Sequence, residues 1–355
     1  MSARIVIASG GTGGHMFPAV ALGDVLRARG HEVAYAVDAR GERYLPAEAP
    51  HFRILSASPT GTTFQRLMNM AALGSGLAQA LAAFVRHRPQ AVVAFGGYAS
   101  VPPGLAAAML RIPLVLHEQN AVFGRAHRLL RNSARVVALS FASTRNAPPA
   151  GERVRVAGNP VRAEFHAAAA PAAAADAVFH VFVVGGSQGA TALSEIVPAA
   201  VTRLEGAAAR LRVVQQCRPE DVERVRTVYA DAGIDAEVAA FFADMPARLA
   251  AADLVVSRAG ASAVAELLVM GRPAILVAYP HAAEDHQRAN AHALAAAGAA
   301  VAIDPAEFTV DRLAAELERL LAAPSALAAM TEATRALAKP DAAERLADIV
   351  EEVLR

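Results

Sequence analysis

Two glycine-rich stretches, each directly behind a short apolar run, constrain this chain more than any other feature. The first is SGGTGGH, Ser9 to His15, behind RIVIA; the second is GGSQG, Gly185 to Gly189, behind FHVFVV. A strand that ends in bare backbone N–H groups and runs into a helix N-terminus makes an anion site. The two loops lie about 175 residues apart in 355 residues, which predicts two domains of one design.

The rest of each half repeats the pattern. HEVAYAVD, PQAVVAFGG, IPLVLHEQ and ARVVALS follow in the first half, and LRVVQQC, AEVAAFF, DLVVSRAGAS, PAILVAY and AAVAID in the second. These runs are continuously apolar rather than alternating, as parallel strands covered on both faces require. The fold class expected is α/β, with two doubly wound parallel sheets whose functional loops stand at the carboxyl ends of the strands. Domain limits of 1–163 and 164–341 follow, with HAAAAPAAAAD, residues 166–176, as the linker region; the last helix, 342–355, is expected to join the first domain, although its residues alone do not show where it packs.

Composition narrows the chemistry. Lys339 is the only lysine, which removes a Schiff-base lysine and a Walker loop. One cysteine, Cys217, leaves no internal disulfide and fits a reducing compartment. The N-terminus shows no basic stretch before an apolar core, so export is not expected. Residues 1–163 carry 18 Arg against 7 Asp and Glu, a balance of +11, whereas residues 164–355 stand at −10. A basic half points to an anionic surface or ligand. No nucleic-acid module or aromatic-interleaved basic stripe is present, so nucleic acid is not the expected partner.

The first loop gives Gly11-Thr12-Gly13 of a dinucleotide fingerprint, but Met16 stands where the third glycine belongs, and Asp38 only imitates the ribose-binding acid. An NAD(P) site is thus a partial match, while a general anion site survives. Further strand ends carry FGGYAS (Phe95 to Ser100), HEQN (His117 to Asn120), GNPVR (Gly158 to Arg162) and SRAGASAVAE (Ser257 to Glu266). Together they predict a cleft with anion sites on both domains. His281, His286 and His292 are spaced by five and six, off one helix face, and no Asp-x-Asp occurs, so no metal site is expected. Diphosphate handled without metal needs helix dipoles and arginine, for which Arg162 is well placed.

In order along nearly the whole chain, GGTGGH, FGGYAS, HEQN, GNPVR, GGSQGA, SRAGA…AE and EDHQ…NA resemble the MurG family, the UDP-N-acetylglucosamine:lipid I N-acetylglucosaminyltransferases of peptidoglycan synthesis. The resemblance implies a GT-B architecture of two Rossmann-like domains facing across a cleft. It implies a UDP-GlcNAc donor site with Ser187 and Arg162 at the diphosphate and the helix from Ala261 through Ser262, Ala263, Val264 and Ala265 aimed at it. Glu266 would hold the ribose, Gln287 the donor sugar hydroxyls, and Phe242 the uracil through its backbone. Thr12, Gly13, Gly14 and Asn120 match positions closing over donor and acceptor; Gly11, Tyr98, His117 and Glu118 match acceptor-side positions. The family often has asparagine where this chain has His127.

The implied reaction is attack of the MurNAc 4-hydroxyl of lipid I on C1 of GlcNAc, with inversion and loss of UDP, giving lipid II without a cofactor. His15, ending the first loop, is the expected base, the alternative being that it only orders the loop. Residues 67–88 hold no charge from Leu67 to Val85 and read either as a buried core helix or as an interfacial patch on anionic lipid, rather than as a membrane span. The resemblance places the enzyme peripherally on the cytoplasmic face of the bacterial inner membrane, with other cell-wall synthesis proteins as partners. A glycolipid glycosyltransferase and a non-catalytic nucleotide-sugar sensor are the competing readings.

Overall fold

The computed structural model describes residues 2–58, 61–169, 178–186 and 190–355. It divides into one unit of Met1–Arg162 with Lys339–Arg355 and a second of Ala163–Ala338, so the chain crosses between them twice.

In the first unit the chain forms β1 (Arg4–Ala8), α1 (Gly13–Ala28), β2 (Glu32–Val37), β3 (His51–Arg53), α2 (Thr63–His87), β4 (Ala91–Ala94), α3 (Val101–Met109), β5 (Leu114–Glu118), α4 (Arg125–Leu130), β6 (Val136–Leu139) and β7 (Val154–Val156). The strands make one parallel sheet in the order β3-β2-β1-β4-β5-β6-β7. Alternation along β1 sends Ile5 and Ile7 to one core layer with α1, and Val6 and Ala8 to the other with Phe84 of α2 and Leu130 of α4. Order reverses between β1 and β4, which makes their carboxyl ends the switch point of this unit.

The second unit contains α5 (Ala163–Ala168), β8 (Phe179–Val184), α6 (Thr191–Val201), α7 (Ala207–Arg210), β9 (Leu211–Gln216), α8 (Val222–Asp231), β10 (Asp235–Ala239), α9 (Met245–Ala251), β11 (Leu254–Ser257), α10 (Ala261–Met270), β12 (Ala274–Val277), α11 (His286–Ala296), β13 (Ala300–Ile303), α12 (Val310–Ala322) and α13 (Pro324–Leu337). Its parallel sheet runs β10-β9-β8-β11-β12-β13, with the switch point between β8 and β11. The chain then returns to the first unit as α14 (Ala342–Val353), which buries Leu346, Ala347 and Val350 beside Ile5 and Ile7.

Three expectations need adjustment. The opening loop is shorter than SGGTGGH suggests: Gly13, Gly14 and His15 are the first turn of α1, with Thr12 as N-cap. His166 to Ala168, read as linker, are helical in α5. And α2 is not a buried core helix: only Gly76, Ala80 and Phe84 are buried, while Phe64, Leu67, Met68 and Met70 are more than half exposed. By length and composition alone α2 could cross a bilayer, but its second half is fixed, because Gly76 crosses so close to Leu55 that a Cβ would overlap the Leu55 carbonyl oxygen. A capping box at Thr62 and Gln65 starts the helix, the Thr62 hydroxyl accepting from Gln65 N–H and the Gln65 amide oxygen from Thr62 N–H.

Candidate functional site

At the first switch point the chain leaves β1 through Ser9 and Gly10. A Cβ on Gly10 would lie 2.4 Å from the Ala99 Cβ and 2.8 Å from Asp38 Oδ1, so only glycine allows the loop to lie this close. Asp38 does not wait for a ribose. Its Oδ1 accepts from Gly11 N at 2.9 Å and Gly41 N at 2.8 Å, and Oδ2 pairs with Arg40 at 3.1 Å. Burial alone would raise this carboxyl, but those N–H groups and Arg40 outweigh it and hold the pKa below its ordinary value. The fingerprint acid is therefore spent on shaping the loop, which removes the basis for an NAD(P) site.

Thr12 O accepts the first bonds of α1, from His15 N at 3.1 Å and Met16 N at 3.2 Å. The Gly13, Gly14 and His15 turn thus stands at the positive end of a 16-residue helix. Arg162, where the chain first leaves the unit, lays its guanidinium 4.4 Å from the centre of the Phe17 ring, one turn into the same helix. It is half-buried, not a solvated surface arginine. The ring is itself braced edge-on by Tyr44 at 5.5 Å. A cation, a helix N-terminus and a histidine so converge on one turn. Tyr98, half-buried, opens the short 3-10 turn after the Gly96-Gly97 pair that follows β4.

Behind this turn lie His117, Glu118 and His127, which the resemblance offered as acceptor-side candidates. His117, Glu118 and His127 are all nearly inaccessible, at 2% exposure or less. Burial to this degree leaves them no surface for an acceptor. The His117 Nε2–H donates to Gly158 O at 2.8 Å, and its Nδ1 accepts from Gln119 Nε2 at 3.0 Å. Desolvation lowers its pKa to about 4, so the ring is neutral near pH 7. Glu118 is the hub: Oε1 accepts from Asn120 N at 3.0 Å and Asn120 Nδ2 at 3.1 Å, Oε2 from Gly124 N at 2.9 Å and His127 Nδ1 at 2.8 Å. Burial would raise this acid, but His127 and the N–H groups of Gly124 and Asn120 overcome it and bring it down to about 2. Asn120, half-buried, is the member of HEQN that reaches the surface.

In the second unit Ser187 lies outside the described residues, so the loop behind β8 is described only through Gly185 and Gly186. Behind β11, Gly260 caps α10, which starts at Ala261 and ends at Gly271 in the left-handed conformation. Ala261, Val264 and Ala265 turn their side chains into the core, leaving them only backbone contacts to offer, while Ser262, Ala263 and Glu266 are half-buried and share one helix face. The Gln287 amide oxygen accepts from Tyr279 N at 3.0 Å. The Phe242 ring is buried against Phe182 at 6.1 Å, with the Arg248 guanidinium at 3.9 Å, so this position too can meet a ligand only through its backbone. Two residues that no role was read for complete the frame. Arg258 Nη1 donates to Val277 O at 3.3 Å and Ala278 O at 2.8 Å, tying the ends of β11 and β12, and burial lowers its pKa. Asn290 Nδ2 donates to Ala259 O at 3.0 Å, fixing the turn into α10 from α11. The signal for both was position: Arg258 follows directly on its strand, and Asn290 closes the EDHQ…NA motif.

Among the described residues no three His, Cys, Asp or Glu side chains cluster to hold a metal ion. His292 instead pairs with Asp304 at 3.0 Å.

Residues 5–139 match the glycosyltransferase family 28 N-terminal domain and residues 180–346 its C-terminal domain. A protein of Paramagnetospirillum magneticum is 48% identical over 98% of this chain and 95% of its own length. One of Methylobacterium sp. strain 4-46 is 50% identical, covering 98% and 96%. Both bear the name UDP-N-acetylglucosamine–N-acetylmuramyl-(pentapeptide) pyrophosphoryl-undecaprenol N-acetylglucosamine transferase. The chain belongs to the MurG family. The crystal structure of Acinetobacter baumannii MurG superimposes with a TM-score of 0.82 at 32% identity, covering 99% of both chains. The glycosyltransferase of kitacinnamycin, at 21% identity and a TM-score of 0.73, shares the fold. The two parallel-sheet units are thus those of the GT-B glycosyltransferases, as the order of motifs implied.

Proposed function

We propose that this member of the MurG family transfers GlcNAc from UDP-GlcNAc to the 4-hydroxyl of MurNAc in undecaprenyl-pyrophosphoryl-MurNAc-pentapeptide, giving lipid II with inversion. The observation that carries the reading is the 48% and 50% identity, over nearly the whole chain, to proteins named for that transfer. Such a displacement needs a base, a donor site and stabilisation of the departing diphosphate. The acceptor oxygen bonds to C1 while the bond from C1 to the diphosphate oxygen breaks, and UDP departs with that electron pair. His15, in the first turn of α1, takes the hydroxyl proton. Negative charge gathering on the diphosphate meets the N-terminus of α10 and the Arg162 guanidinium, with Ser187 in the same role. Glu266 and Gln287 hold the ribose and the donor sugar, and the backbone at Phe242 the uracil. Thr12, Gly13, Gly14 and Asn120 close over the donor. Tyr98 and Gly11 remain on the acceptor side, while the buried His117, Glu118 and His127 act beneath it. The site read this way needs no cofactor.

The acceptor is a membrane lipid, and the exposed apolar residues of α2 give the protein a means to reach it from the cytoplasmic face of the inner membrane. Phe64, Leu67, Met68 and Met70 would dip into the interface beside Arg66.

Incubation with UDP-GlcNAc and lipid I tests the reading: lipid II must form, and His15→Ala must retain UDP-GlcNAc affinity within a few-fold while turnover drops roughly 100-fold or more. Wild-type protein that binds UDP-GlcNAc without forming lipid II would be a sensor instead, and near-normal turnover by the alanine variant would remove His15 from the chemistry.

A further inference from the structure

His127 is sealed inside the first unit, and the structure shows what it does there. Its Nδ1 lies 2.8 Å from Glu118 Oε2, its Nε2 lies 3.3 Å from Ala94 O, and its ring is sealed from solvent beside Phe123 at 5.5 Å. The carboxylate can only accept, so Nδ1 carries the proton in this pair. Seen from Gly96, the ring is also a floor. A Cβ placed on Gly96 would lie 3.1 Å from His127 Cε1 and 3.5 Å from His15 Cδ2, so the two imidazoles close on one point from two sides.

We propose that Glu118 and His127 form a buried positioning pair that holds Asn120 on one side and the Gly96 turn against His15 on the other, without touching substrate. Glu118 does the first part. Its Oε1 takes both the backbone and the side-chain N–H of Asn120, which fixes the amide with its nitrogen turned inwards, since its oxygen cannot face a carboxylate. His127 does the second. It saturates Oε2 together with Gly124 N, at the cap of the helix that bears the histidine itself. That loop closes the hub, so the ring under Gly96 cannot shift without breaking a bond to Glu118. All four acceptor directions of the carboxylate meet donors. A glutamine at 118 would have to turn its NH2 towards two further donors, whichever way it faced. At 127, asparagine places an N–H where Nδ1–H stands, whereas leucine offers volume and no donor.

The kinetic half of this proposal rests on the transferase reading; the structural half does not. Two measurements therefore test it. In 15N imidazole NMR of the intact wild-type protein, the His127 Nδ1–H is expected downfield as a strong hydrogen bond, and Glu118→Gln should abolish that signal. An unprotonated Nδ1 in the wild type overturns the pair. In the lipid II assay, His127→Asn should keep kcat within about threefold. His127→Leu and Glu118→Gln should each lower kcat at least about tenfold, and the double variant should be no slower than the slower single one, because both remove one unit. Wild-type kcat in His127→Leu, or losses that multiply in the double variant, overturns the positioning role. If the leucine variant does not fold, the asparagine variant and the NMR signal still decide. Wild-type protein that makes no lipid II refutes the transferase reading and leaves the NMR result to judge the pair.

Discussion

A methyl group at position 96 would have to displace an imidazole. Gly96 has φ +88°, a region L side chains rarely adopt, and a Cβ there would sit 3.1 Å from a His127 ring that its bond to Glu118 holds still. Gly96→Ala should therefore cost about 1–3 kcal/mol, read as a lower urea midpoint at unchanged m-value. The same cluster sets an acid limit. His117 has a folded pKa of about 4, below its unfolded value near 6.5. Above pH 6.5 both states are neutral and the contribution of the buried ring is complete. As pH falls from 6.5 to 4 the unfolded chain takes up a proton that the folded one refuses. Stability then drops by a few kcal/mol, at about 1.4 kcal/mol for each pH step of one across that window. Glu118, folded at about 2 against an ordinary 4.5, adds a second loss that begins near pH 4.5 and continues to pH 2. His117→Gln keeps an N–H for Gly158 O and has no charge to gain. It should flatten the thermal midpoint between pH 6.5 and 4.5 while leaving the Glu118 loss below 4.5. Equal slopes in both proteins across the upper window would show that another group sets it. None of this was legible in HEQN. The motif gives the residue types, but that three of these side chains face inwards depends on α4 and the Gly158 turn folding back over β5.

At the scale of elements, the strands were readable because parallel strands covered on both faces are continuously apolar, as AVVA and VVAL are. The three-residue edge strands β3 and β7 were not: their side chains are largely half-buried or exposed, and HFR and VRV carry no burial signal. The start of α1 was misread for a different reason. Two glycines weigh against a helix by about 1 kcal/mol each, yet the turn forms because Thr12 O gathers the N–H groups of His15 and Met16. The consequence is chemical, since a histidine on a helix turn is held more firmly than one at the tip of a loop. For α2 the sequence offered two readings, and only the packing separates them. A helix anchored by Phe84 at one end presents Phe64, Leu67, Met68 and Met70 at the other, where the described residues leave them more than half exposed. Replacing Phe64 and Leu67 by serine should lower binding to vesicles containing phosphatidylglycerol at least about tenfold, measured by flotation, while the thermal midpoint moves little. Undiminished flotation would place the membrane contact elsewhere; failure of the wild type to float at any salt concentration would remove it.

At the scale of the whole chain, the unit that begins first is finished last. Residues 1–162 build a seven-stranded sheet, but one of its two core layers stays open until α14 arrives from the far end of the sequence. Leu346, Ala347, Ile349, Val350 and Val353 of α14 lie in the same cluster as Ile5, Ile7 and Val93. Polar clasps add to this burial at the surface: Arg29 pairs with Asp348 at 2.7 Å and Glu351 at 3.1 Å, and His31 Nε2 meets Glu351 at 3.0 Å. Such exposed pairs contribute little each, so the apolar face dominates. The sequence announced the helix by its period but not its destination, because a 3.6-residue stripe fits any open apolar layer. Leu346→Ala removes a fully buried side chain from a layer whose other wall is sheet, and should cost about 2–5 kcal/mol. Because the two units have separate cores, that loss should stay in one of them. Hydrogen exchange read by mass spectrometry should speed up in peptides covering β1, β2 and β4, and remain unchanged in those covering β8, β11 and β12. Exchange that rises equally in both sets would mean the units unfold as one body, so that α14 would be completing the whole molecule rather than the first unit alone.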